Sequence, residues 1–310
     1  MIWRFYPAVL AAALISVLAG PARSQPMNDG EACLEGSGRA HLDEAYCRRA
    51  LGMPDLPGVQ RAALLTARAA ALARLGESGA AEAELGHALA LNPDSAQAFL
   101  LRALIRRGAG EVPYPVILAD LNRAIALNPY FVRALAQRGA MYLQGGDWAA
   151  ALADFDQALS LRPQSSPALF FKGVLRFHQG RFAQAEVLFR RVLALSPVQH
   201  PIAALWLASA AGRRGNSGAA ALAHYLWWWQ DGLWPAPLLQ LWTGAANVDD
   251  VAAAMAEADD GIRAQGAFFL AQWYLAQGDD SAARAWMEQA RRLAKPFMPE
   301  AIVAGGPHSE

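Results

Sequence analysis

The chain has 310 residues, with 27 basic and 27 acidic side chains, and 55% of it is hydrophobic, including 69 alanines. That length suffices for one or two domains with a buried core, and the zero net charge excludes a protein that holds nucleic acid by its overall field. So much alanine beside so few β-branched residues points to closely packed helices.

Residues 1–24 read as a secretory signal peptide, with Arg4 as its positive start, an apolar run from Ala8 to Ala19, and small residues at Ala22 and Ser24. Cleavage is expected before Gln25. A membrane span needs about 20 apolar residues, and Gly20-Pro21 and Arg23 interrupt this run. Removing the segment takes away Arg4 and Arg23 and leaves a net charge of −2. No cysteine follows the run directly, so no lipid attachment is expected. The mature chain is expected to be periplasmic or secreted, with no transmembrane span.

Residues 25–60 are expected to form an N-terminal cap. Two cysteines, Cys33 and Cys47, close in sequence in an oxidising compartment, favour a disulfide. A loop of about 15 residues closed in this way contributes about 3 kcal/mol. Gly36 and Gly38 supply the bend, and a helix is expected over His41 to Leu51. A zinc site using His41 with both thiols is the alternative, but it lacks a fourth ligand and paired metal spacing. No metal and no cofactor are expected.

A period of 34 dominates residues 61–199. Pro93, Pro129, Pro163 and Pro197 each end an Ala-Leu-Asn-Pro, Ser-Leu-Arg-Pro or Ala-Leu-Ser-Pro run, spaced by 36, 34 and 34. In the unit Val132 to Ser165, Gly139, Tyr142, Gly146, Ala151, Phe155, Ala158 and Pro163 stand at positions 8, 11, 15, 20, 24, 27 and 32. The next unit repeats Gly173, Gly180, Ala185, Phe189 and Pro197. Upstream, Ala69, Leu72, Gly76, Ala81, Leu85, Ala88 and Pro93 fit the same frame. The unit between Pro93 and Pro129 carries two extra residues, which Val112-Pro113-Tyr114-Pro115 can absorb. This pattern resembles the tetratricopeptide repeat (TPR), a helix–turn–helix unit of 34 residues. Small residues at 8, 20 and 27 let helices approach, the phenylalanines fill the space between, and each proline ends its second helix. The expected fold is all-α: four TPR units in a superhelical array, with a C-terminal helical extension.

Residues 200–298 depart from the period, and 299–310 form a tail. Ala203 to Tyr225 predicts two more helical segments around the degenerate turn Arg213-Arg214-Gly215. Ala267, Ala271, Tyr274, Gly278, Asp279, Ala283 and Ala290 rebuild most of one unit. Six of the ten tryptophans lie between Trp206 and Trp242, and they either pack between the array and the last helices, with indole N–H groups on carbonyls, or face a partner. Trp234 to Gly244, the acidic-capped stretch Asp249 to Ala258, and Phe268 to Tyr274 resemble the bacterial TPR lipoprotein NlpI and its relatives. The resemblance implies a periplasmic adaptor, commonly a homodimer, that binds cell-wall endopeptidases and a tail-specific protease. The missing lipid-bearing cysteine and the paired Cys33 and Cys47 depart from that family.

No H-E-x-x-H, G-x-S-x-G or G-x-x-x-x-G-K motif is present, the six histidines are scattered, and no catalytic residue is assigned. His178, at a turn, is expected to be solvated or bonded to a carbonyl. The acidic stretch Asp249 to Asp260 lacks EF-hand spacing, so charge at a helix start explains it better. Binding is the expected role. In a TPR superhelix, positions 2, 5, 9 and 12 of each first helix line the concave face. They fall on Ala63, Thr66, Ala70 and Ala73, then Gln97, Leu100, Leu104 and Arg107, then Arg133, Ala136, Ala140 and Leu143, then Pro167, Phe170, Val174 and Phe177. Arg107, Arg133, Leu143, Phe170, Val174 and Phe177 are the expected groove residues, suited to a protein segment with apolar anchors and a carboxylate. A structural subunit of an envelope assembly, for polysaccharide export or secretion, is the alternative role.

Overall fold

A computed structural model describes residues 28–110, 112–195, 200–225, 234–294 and 299. The signal-like segment 1–24, Pro197, Trp227 to Trp229 and all of the tail except Pro299 therefore lie outside the described residues. Among the described residues every regular element is a helix. Helices α1 (Asp29–Glu35) and α2 (Ala40–Leu51) form the cap. Four hairpins come next: α3 (Gly58–Arg74) with α4 (Ser78–Leu91), α5 (Ala96–Ala109) with α6 (Tyr114–Leu127), α7 (Val132–Gln144) with α8 (Trp148–Leu161), and α9 (Ser166–His178) with α10 (Phe182–Leu195). Beyond them lie α11 (Pro201–Arg213), the short α12 (Gly218–Leu222), α13 (Ala236–Thr243), α14 (Val248–Ala256), and a last hairpin of α15 (Asp260–Gln277) and α16 (Asp280–Leu293).

Local chemistry explains the hairpin ends. The residues before Pro93, Pro129 and Pro163 leave the helical region, as Asn128 does at φ −141° and ψ 93°. The following ring disfavours a helical residue before it and removes a donor. Between α7 and α8, Gly146 takes φ 80°, a conformation that a side chain would strain. The Asp147 N–H then donates back to Tyr142, and its carboxylate accepts from the Ala150 N–H, capping α8.

The two helices of each unit meet through a matched pair at positions 8 and 24. A Cβ on Gly139 would stand 2.6 Å from the Phe155 ring, and one on Gly173 2.6 Å from the Phe189 ring. In the first two units the pairs are Ala69 with Leu85 and Ala103 with Leu121, all buried. A larger residue on one helix is thus met by a smaller one on the other, which keeps the helices at similar separation.

A second pairing runs through the array at positions 7 and 23. Arg68 donates to Glu84 (3.0 Å), Arg102 to Asp120 (2.6 Å) and Arg138 to Asp154 (2.7 Å). Asp120 and Asp154 are almost wholly buried, so each needs its guanidinium. These carboxylate bonds hold Arg102 and Arg138 above the ordinary guanidinium range. The fourth unit carries Lys172 and Leu188 at these positions, and Lys172 turns back to Asp156 of the third unit. The two extra residues of the second unit lie between Arg102 and Asp120, lengthening α5 and its turn. They bring Tyr114 to donate to the Met141 carbonyl of α7 at 3.0 Å.

Cys33 and Cys47 form the expected disulfide, with Cα atoms 4.7 Å apart, so neither thiol is left for a metal. The cap is also pinned by buried carboxylates. Asp43 accepts from the Ser37 N–H and hydroxyl and from Arg74, while Glu44 accepts from Arg48 and from Arg68. Arg68 thereby joins the cap to the first pair of the array.

At the other end Trp206 is fully buried, with ring centroids of Phe177, Phe268, Phe269 and Phe189 at 5.0, 5.1, 5.7 and 5.9 Å. Trp206 packs between the array and the last helices, and Trp242 packs against Gly212 of α11 and Gly218 of α12. Their indole N–H groups do not meet carbonyls, however: neither finds an acceptor among the described residues. The Trp234 N–H donates to Gln265 at 2.8 Å. Of the two settings expected for His178, the solvated one is corrected, since the ring is buried edge-on against Trp148. The acidic stretch does cap a helix, since Asn247 and Asp250 form a capping box on α14. No described helix is long and apolar enough to cross a membrane.

Candidate partner-binding groove

A cleft of about 400 Å³ opens at the capped end of the array. Its walls include Cys33 and Asp43 of the cap, Thr66 and Ala70 of α3, and Gln97 of α5. Ala63, Thr66 and Ala70 are positions 2, 5 and 9 of the first unit, and Gln97 is position 2 of the second, so the first helices do line a concavity. Burial raises the Asp43 carboxyl, but its bonds from Ser37 and the charge of Arg74 outweigh this and hold it below the usual range. It is therefore a charged, fully engaged wall.

Further along, the expected groove residues divide. Arg133 is exposed, and Arg107 and Phe170 are half-buried. Arg107 donates to the Gln137 side-chain oxygen, spanning α5 and α7. Burial, and then the charge of Arg133, hold Arg107 below the ordinary guanidinium range. Phe170 lies edge-on to Phe171 and Phe189.

Leu143, Val174 and Phe177 are 1%, 0% and 2% exposed, which corrects their placement on an open face. For Phe177 the physical reason is α10 together with the first helix of the C-terminal region. Phe177 is enclosed by Phe182 and Trp206, both with ring centroids at 5.0 Å, and Leu143 and Val174 belong to the same apolar cluster. Of the six expected groove residues, Arg107, Arg133 and Phe170 retain surface for a partner.

A family model described as the tetratricopeptide repeat matches residues 118–166, 138–200 and 172–226. The middle of the chain is a tetratricopeptide repeat array. The last matched stretch runs into α11 and α12, where the turn is degenerate. Among solved structures, a TPR protein from Parabacteroides merdae is similar at 20% identity and a TM-score of 0.51, covering 90% of this chain and 99% of that one. PilW, described as a type IV pilus biogenesis factor, is similar at 21% identity and a TM-score of 0.51, covering 77% and 96%. PilF from Pseudomonas aeruginosa is similar at 17% identity and 0.50, covering 79% and 96%. At these identities the likeness is one of fold. No sequence among the curated proteins matches the chain.

Sequence reasoning missed Gln137, at position 6 of its unit, which engages Arg107. Its proximity depends on the pitch between α5 and α7, and no spacing within one helix reveals it. The pairing of positions 7 and 23 was open to detection. Arg68 with Glu84 and Arg138 with Asp154 recur at a separation of 16. Ser166 and His200, 34 residues apart, also share a hydrogen bond of 2.9 Å, which ties α9 to the start of α11. Burial lowers the His200 pKa, so the ring is neutral at physiological pH.

Proposed function

We propose that this TPR protein is a non-enzymatic interaction scaffold of the bacterial periplasm, an adaptor that brings cell-envelope enzymes such as peptidoglycan hydrolases or a tail-specific protease together. The observation that carries the reading is the groove. Most half-buried arginines of the repeats are locked onto carboxylates, whereas Arg107, Arg133 and Phe170 keep surface along the faces of successive first helices. Such arginine and aromatic positions are the usual anchors of protein interfaces. The signal-like segment 1–24, the disulfide of the cap and the NlpI-like stretches of the C-terminal region support a periplasmic location. In this reading residues 25–60 cap an array over 61–199, and 200–298 seal its far end.

The test is site-specific photo-crosslinking in the periplasm. A crosslinker at Phe170 is expected to capture an envelope hydrolase or protease, while one at Val187, 59% exposed on α10, captures nothing comparable. Equal capture from both positions would remove the groove assignment. Capture of an export or secretion complex instead would favour the structural-subunit role. The mass of the protein from the periplasm is expected to correspond to a chain starting at Gln25.

A further inference from the structure

Three arginines near the end of α5 show what is unusual about one of them. Arg102 sits on Asp120, and Arg106 on Asp120 and Glu82. Arg107, the next residue, meets only the neutral amide oxygen of Gln137 and no carboxylate among the described residues. A half-buried guanidinium carries a large desolvation cost that a neutral acceptor offsets only in part. Arg133, four residues before Gln137 on the same helix, adds a second positive charge near it and has no carboxylate partner among the described residues. A guanidinium has five N–H donors in a planar fork. With Arg107 on Gln137 and neither fork on a carboxylate among the described residues, donors remain for an acceptor from outside.

Leu104, three residues before Arg107 on α5, is half-buried and adds apolar surface, whereas Ala136 and Ala140 are buried. Phe170 lies one unit further along. The shape and charge therefore suit an extended chain carrying an acid next to an apolar residue. A nucleic acid or an anionic membrane would call for a broad basic field, and the chain as a whole is neutral.

We propose that Arg107, Arg133 and Gln137 form a carboxylate site that takes an aspartate or glutamate side chain of an acidic, extended segment of a protein partner lying in the groove. This rests on the groove being the partner surface, and the test separates the two. The two forks supply bidentate bonds to the carboxylate oxygens, and the glutamine orients Arg107. Binding neutralises a repulsion that the free protein carries, so the arginines favour the complex more than the fold.

The experiment is selection of a random peptide library displayed on phage against the purified chain, followed by fluorescence anisotropy of a selected fluorescein-labelled peptide. Selected peptides are expected to share an Asp or Glu beside an aromatic or aliphatic residue. Changing that acid to its amide should weaken binding about tenfold or more, as should Arg107→Gln or Arg133→Gln, and acid and arginine changes combined should cost little beyond either alone. Arg133→Gln should leave the melting temperature level or higher, which a structural arginine would not. Selected peptides without a shared acid, bound equally by both arginine variants but weakened by Phe170→Ala, would overturn the carboxylate site and leave the groove standing. Peptides indifferent to Phe170→Ala and to both arginine variants, or no selected peptide at all, would overturn both. Tighter arginine-dependent binding of a labelled oligonucleotide or of phosphatidylglycerol vesicles would overturn the assignment to a protein segment.

Discussion

Replacing Gly139 by alanine tests the size matching between the two helices of a unit. The added Cβ would stand 2.6, 2.9 and 3.1 Å from three carbons of the Phe155 ring. Ordinary carbon contacts are about 3.5–4.0 Å, and the ring is fully buried and stacked on Phe171, leaving it no direction of retreat. Overpacking of this kind costs about 1–3 kcal/mol, against about 1 kcal/mol gained when alanine replaces glycine in a helix. With an overlap near 1 Å the cost should lie at the upper end, for a net loss of about 1–2 kcal/mol. Phe155→Leu alone should lose about 1–2 kcal/mol through apolar contact and an empty space. The double variant recreates the pair that the first two units already use, Ala69 with Leu85 and Ala103 with Leu121. It should lie within about 1 kcal/mol of the parent, a coupling of about 2 kcal/mol. Urea unfolding followed both by far-UV circular dichroism and by tryptophan fluorescence gives the four stabilities, with coincident transitions as the check on cooperativity. A Gly139→Ala chain as stable as the parent, or a double variant that loses the sum of the singles, would refute the reasoning.

Asp154→Asn should destabilise the fold by about 2–3 kcal/mol, because it strands the Arg138 guanidinium between α7 and α8, and adding Arg138→Met should recover most of that loss; urea midpoints of the three variants decide it. Reduction of the Cys33–Cys47 bond, or Cys47→Ala, should cost about 3 kcal/mol, read as a fall in the urea midpoint, and an unchanged midpoint would show that the cap does not share in the main transition. The pH dependence arises from Asp43 and Glu44. Hydrogen bonds from Arg48, against burial and with help from Arg68, hold the Glu44 carboxyl low, and Asp43 is also held low in the folded cap. Their contribution is thus fully present above the unfolded carboxylate values of about 4 and is lost as pH falls below them toward the folded values. Stability profiles of Asp43→Asn and Glu44→Gln should be flatter in that range, and an unchanged slope would assign the acid sensitivity elsewhere.

The hairpins were legible because each unit repeats the same solution: a glycine or alanine against a large partner, a glycine turn, and a proline after the second helix. Helix α1 was not foreseen, although Asn28 and Glu31 carry the side-chain spacing of a helix start, and Asn28 does accept from the Glu31 N–H at 2.9 Å. The positional rule placed Arg107, Arg133 and Phe170 where surface remains. The burial of Leu143, Val174 and Phe177 was not legible, since a positional rule for one unit is silent about what later segments lay over it. Trp206, in a segment without the closing proline, covers Phe177, and Phe268 and Phe269 cover Trp206 from a helix some sixty residues later.

The pairing of positions 7 and 23 runs through the first three units and stops at the fourth, where Leu188 replaces the acid and aromatic rings take over. In an array whose units touch only their neighbours, each end opens according to what holds it. Protons act on the cap, where Asp43 and Glu44 are held low, concentrated salt acts on exposed ion pairs, and cooling acts on buried apolar area. The molecule therefore has a direction of fraying that its surroundings select: acid loosens it from the cap inward, and cold from the tryptophan end.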